Sequence, residues 1–113
     1  RSSLKKQRSL LLSDDAENRV VTETTNIWSK YQSSKSVLVA TEAQLKAAEI
    51  ANEGITLEYD SGNTRTTLEL IQSRSLLLDS RISFAKAKRD FMISKFELAF
   101  QLGTLSSNSI KYQ

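Results

Sequence analysis

The chain has 113 residues, 16 basic and 13 acidic, giving a formal charge of +3, with 39% hydrophobic residues and no cysteine, histidine or proline. That length suits one small domain. Lacking cysteine, it has no disulfide or thiolate metal site, and lacking histidine and a glycine-rich phosphate loop, it has none of the usual nucleophile–base or nucleotide-binding constellations, so neither an enzyme nor a cofactor or metal site is expected.

Both signs of charge are spread evenly, which argues against a nucleic-acid partner. No apolar run approaches the roughly 20 residues that a bilayer span requires, and no charged-then-apolar leader is present. A chain that starts at Arg1 rather than Met is expected to be a processed product or a piece of something longer.

In chain order, residues 1 to 13 contain Leu4, Leu10, Leu11 and Leu12 at weak spacing. Asp14 with Glu17 has capping spacing and predicts a helix from about residue 14 to 60, with no breaker to forbid an earlier start. Along it, Val20, Thr24, Ile27, Tyr31, Ser34, Leu38, Thr41, Leu45, Ala48, Asn52, Ile55 and Tyr59 recur in steps of four and three, the seam of a left-handed coiled coil. Ser34, Thr41, Ala48 and Asn52 allow a partner helix close approach while giving up some apolar burial. A fainter stripe follows Ala43, Ile50 and Leu57, and Trp28 stands beside the main seam with Val21.

Residues 60 to 66 are the only strong break between the helical segments. Gly62 can adopt the left-handed conformation that closes a helix, and Thr66 with Glu69 has the spacing of a capping box. A second helix is predicted over about 67 to 102, with Gly103 as its C-terminal cap and a loop over 103 to 113. It has two apolar stripes. One follows Leu68, Ile71, Ser75, Leu78, Ile82, Ala85, Arg89, Met92, Phe96 and Ala99; the other follows Leu70, Leu77, Phe84, Phe91 and Leu98, which are the default core residues. A helix with two stripes should touch two neighbours, as in a closed ring of helices or an ordinary bundle. The predicted fold is therefore all-α, a long antiparallel coiled-coil helical hairpin that lacks a third layer and depends on neighbours.

Several words of the sequence carry a resemblance. Ala47-Ala48-Glu49-Ile50-Ala51-Asn52-Glu53-Gly54 leads into Tyr59-Asp60-Ser61-Gly62, then Thr64-Arg65-Thr66-Thr67-Leu68-Glu69-Leu70, and the second helix closes on Ala99-Phe100-Gln101-Leu102-Gly103-Thr104-Leu105. In order and spacing, from about Val20 to Leu105, these resemble the C-terminal periplasmic hairpin of the TolC family of outer-membrane efflux and secretion channels. The resemblance implies a fragment of a larger channel protein whose three protomers form an α-helical tunnel, a trimeric α-barrel, in the periplasm of a Gram-negative bacterium. The tunnel would continue in an outer-membrane β-barrel through parts absent from this chain. It further implies passive transport, in efflux or type I secretion, with a periplasmic adaptor protein and an inner-membrane transporter as partners.

In that picture the turn is the periplasmic gate and adaptor-docking tip, formed by Tyr59, Gly62, Asn63, Thr64, Arg65, Glu69 and Gln72. Tyr59 and Arg65 fall on positions that resemble the family's gating tyrosine and arginine, and Glu69 on an acidic pore-wall position. Gln72 stands where a second acid would be. Asn63 is one residue extra before the Thr-Arg-Thr triplet, and Ser61 replaces a frequent aliphatic residue, so adaptor specificity does not carry over.

From the residues alone, plainer readings stay open: Arg65 as a solvated first-turn side chain, Tyr59 as the last seam residue packing across the turn, and Glu69 as a helix cap. The alternative functions are the coiled-coil hairpin of a periplasmic adaptor (membrane fusion) protein and a structural coiled-coil interaction module.

Overall fold

A computed structural model describes residues 2–62 and 64–111, with side chains at 3–9, 14–62 and 64–107. Among the described residues there are two α-helices and no strand: α1, Ser2–Asp60, and α2, Thr67–Lys111, joined by the short reversal around Gly62. The fold is an all-α antiparallel helical hairpin. No helix among the described residues is long and apolar enough to cross a membrane.

Both helices run further than the local signals predict. Helix α1 starts at Ser2 rather than near Asp14. The Asp14 and Glu17 pair is compatible with a helix interior, and nothing upstream interrupts the backbone hydrogen bonds. Helix α2 continues through Gly103 to Lys111, where the sequence predicts a loop. An αL cap needs positive φ, and Gly62 alone among the described residues has it. A lone glycine costs a helix interior only about 1 kcal/mol relative to alanine, too little to end it without a proline beyond. Thr104 then donates its hydroxyl to the Phe100 carbonyl at 2.9 Å, the i to i−4 back-bond of a continuing helix.

The chain divides into two units. One of them, Ser33–Ile93, holds the reversal and the two helical segments that flank it. Its α1 segment turns Ser34, Leu38, Thr41, Leu45, Ala48, Asn52 and Ile55 away from solvent, the seam read from the four-and-three spacing. Its α2 segment turns inward the stripe of Leu70, Leu77, Phe84 and Phe91, interleaved three residues on with Ser73, Ser80 and Ala87.

Large and small residues thus alternate along the inner face of α2. Leucine or phenylalanine supplies apolar area and serine or alanine lets the helices approach, leaving Ala48 7% and Ala87 3% exposed. Asn52 and Ser73 meet across this seam, with the Ser73 hydroxyl donating to the Asn52 side-chain carbonyl at 3.2 Å. No buried side-chain nitrogen or oxygen among the described residues lacks a hydrogen-bond partner.

The other α2 stripe faces solvent. Leu68, Ile71, Leu78 and Ile82 are between 45% and 63% exposed, and Met92 is exposed beside them. On the solvent side Lys88 lies over the Phe84 ring, 4.2 Å from its centroid, and covers part of that face.

The second unit comprises the described residues of Arg1–Gln32 and Ser94–Gln113. Thr24, Ile27 and Tyr31 are half-buried from α1, and Ser94, Leu98, Gln101 and Leu105 are withdrawn from solvent on α2. Trp28 stacks on Tyr31 with ring centroids 5.6 Å apart, which ties it to the seam residue one turn on. Lys30 and Glu97 form an exposed cross-helix ion pair at 3.3 Å.

Two adjacent leucines measure the choice of stripe. Leu77 is 8% exposed and Leu78 56%. Leu77→Ala is expected to destabilise the chain by about 2–4 kcal/mol, the range of a core truncation. Leu78→Ala should stay within about 0.5 kcal/mol, as surface changes do. Denaturant unfolding at low concentration distinguishes the two, and a larger loss for Leu78 would reverse the assignment.

Candidate functional site

The reversal is built by backbone hydrogen bonds and one unusual torsion. The Ser61 amide donates to the Leu57 carbonyl at 3.0 Å and the Gly62 amide to the Tyr59 carbonyl at 3.1 Å, closing α1. Gly62 then takes φ +76°, the left-handed region that side-chain-bearing residues avoid. The Ser61 hydroxyl adds a bond to the Glu58 carbonyl at 3.0 Å, satisfying another of the helix-end acceptors.

The start of α2 is closed by a reciprocal pair. The Thr66 amide donates to the Glu69 carboxylate at 3.0 Å, and the Glu69 amide donates to the Thr66 hydroxyl at 3.2 Å. This is the capping box read from the sequence, and it assigns Glu69 a definite structural task. Its negative charge also lies in the first turn of α2, where the helix dipole favours it.

Among the described residues, two side-chain ties cross the reversal. The Tyr59 hydroxyl lies 3.3 Å from the Thr67 hydroxyl, close enough for either to donate. The Arg65 Nε donates to the Glu58 carboxylate in a short, charge-assisted bond. Hydrogen bonding to Glu58 and then its charge hold the Arg65 guanidinium above its ordinary range, with Glu69 adding a smaller electrostatic contribution in the same direction. A raised arginine contributes to stability below its ordinary value, and that contribution fades only as pH rises through the shifted one. Arg65 therefore remains cationic throughout any working range.

Of the residues singled out by sequence, Arg65, Glu69 and Gln72 share one open groove with Ala48, Ala51 and Ile55. Tyr59 is in the last turn of α1, Gly62 and the exposed Thr64 lie in the reversal, and Asn63 lies outside the described residues. Glu58 is the residue that the sequence reading missed. It stands four residues before Gly62 and Arg65 three after, a near-mirror placement about the turn that could have flagged it. Among the described residues no group of three acidic, histidine or cysteine side chains is arranged to hold a metal.

The chain is similar to the outer membrane efflux protein BepC of Brucella suis biovar 1, with 22% identity over 100 residues. The match covers 88% of this chain and 22% of that protein, so the chain spans about a fifth of the relative's length. No protein-family model matches it, and neither does a solved structure.

Thr66→Ala removes the hydroxyl half of the capping box and is expected to destabilise the chain by about 1 kcal/mol, while Thr66→Ser retains most of the stability. Thermal unfolding of the two variants is the check, and equal losses would show that the hydroxyl is not the acting group.

Proposed function

We propose that this hairpin is a periplasmic tunnel segment of a TolC-like outer-membrane channel serving efflux or type I secretion. The observation that carries the reading is the uncovered second stripe of α2. Leu68, Ile71, Leu78, Ile82 and Met92 form a heptad-spaced apolar edge that this unit leaves in solvent. Such an edge is stabilised by another helix placed alongside it, and a ring of hairpins supplies one on every side. Similarity to an outer membrane efflux protein over most of the chain supports the transport reading.

In this reading the longer protein is a homotrimer whose hairpins form an α-barrel in the periplasm, continued by a β-barrel in the outer membrane. The conduit does no covalent chemistry, and an inner-membrane transporter acting with a periplasmic adaptor supplies the energy. The reversal forms the periplasmic entrance and the adaptor-docking tip.

Tyr59 and Arg65 act there as gating groups, with Glu69 and Gln72 on the pore side of the same tip. A guanidinium offers a fork of donors to a neighbouring protomer's carboxylate or carbonyls, and a phenol adds one directional bond. Each link between exposed groups is weak, so closure depends on threefold repetition and yields to a partner that binds the open state better.

Arg65→Ala in the full-length trimer is the test. Closed-state conductance in planar bilayers is expected to rise, with the trimer intact by sedimentation. Wild-type conductance from an intact trimer would remove Arg65 from the gate.

A further inference from the structure

Glu58 and Arg65 each occupy an electrostatically unfavourable place. Glu58 lies in the last turn of α1 beside Asp60, where the helix dipole is negative and no basic side chain is present. Arg65 stands just before α2, where the dipole is positive and a cation is disfavoured. Exchanging the two would suit both helix ends, so the present arrangement does not maximise hairpin stability. Each charge instead relieves the other through the Arg65 Nε bond to the Glu58 carboxylate.

Only Nε makes that bond, and among the described residues the terminal guanidinium nitrogens of Arg65 make no hydrogen bond. The N–H donors on those nitrogens are therefore available to a second acceptor while the first is still held. Both side chains are accessible from solvent, Arg65 39% and Glu58 48% exposed, so a competing anion can approach. The Tyr59 and Thr67 hydroxyls tie the same turn without charge.

We propose that Glu58 is the positioning residue for Arg65, holding its guanidinium across the turn through Nε and leaving the terminal nitrogens to a neighbouring carboxylate that engages them to close the tip. This rests on the gate reading above and adds to it a specific residue that holds Arg65 while a second acceptor is engaged. Without Glu58, Arg65 loses its fixed orientation, and a long side chain that must first give up its rotamer freedom closes the tip less often.

The test compares Glu58→Gln, Arg65→Ala and the double variant in the full-length trimer, by closed-state conductance in planar bilayers. Glu58→Gln is expected to raise conductance, by no more than the factor seen for Arg65→Ala, and the double variant by no more than Arg65→Ala alone. Raised conductance from Arg65→Ala with wild-type behaviour from Glu58→Gln overturns the positioning role and leaves the gate reading standing; no change from either overturns both. Additive effects in the double variant would mean independent action and also overturn it.

A charge-swapped protein, Glu58→Arg with Arg65→Glu, separates positioning from a merely structural tie. It keeps the ion pair and improves both helix ends, yet it presents a carboxylate to the neighbour, so conductance stays raised. Wild-type conductance in the swapped protein would contradict the proposal.

Discussion

A helix with two apolar stripes and one partner must leave a stripe uncovered, and that constraint governs this chain. Helix α2 gives α1 the stripe of Leu70, Leu77, Phe84 and Phe91 and leaves Leu68, Ile71, Leu78 and Ile82 in solvent. The covered stripe is the one with small residues three positions on. Ser73, Ser80 and Ala87 let two backbones approach closely, whereas the uncovered stripe carries Arg89 as well as Ser75 and Ala85 among its larger apolar residues. The exposed apolar edge contributes no burial to the hairpin itself.

The reversal has a different character from the seam it terminates. Its stability comes from local hydrogen bonds, a left-handed glycine and a capping box, none of which depends on a neighbouring chain. Such a self-contained tip places Arg65, Glu69 and Gln72 on one groove by local interactions alone. Glu58 and Arg65 are placed against the helix dipoles, whereas Glu69 is placed with one.

Much of this was legible in the sequence, for identifiable reasons. The α1 seam from Thr24 to Ile55 could be read because a steric rule, alternating steps of four and three, leaves a mark at every position. The capping box could be read because its two residues lie three apart and bond reciprocally. The ends of the helices could not. Gly103 and Asp14 are local signals whose meaning depends on whether the surrounding hydrogen-bond ladder stops, and in this chain it does not. The α2 stripe of Leu70, Leu77, Phe84 and Phe91 was legible as the default core because leucine or phenylalanine recurs there every seven residues, although periodicity records that a face is apolar and not what covers it. Glu58 escaped notice because its role comes from a partner across the turn rather than along its own helix.

The central claim is the inward orientation of the Leu70 and Ser73 face, and cross-linking addresses it most directly. Asn52 and Ser73 are in hydrogen-bond contact, while Ile71 on the same helix is exposed. Cysteines placed as Asn52→Cys with Ser73→Cys should form an intramolecular disulfide readily under mild oxidation, and Asn52→Cys with Ile71→Cys should not. Preferential closure of the second pair would mean that α2 turns its other stripe toward α1, contradicting the claim that the Leu68 and Ile71 edge is left free for a neighbouring hairpin.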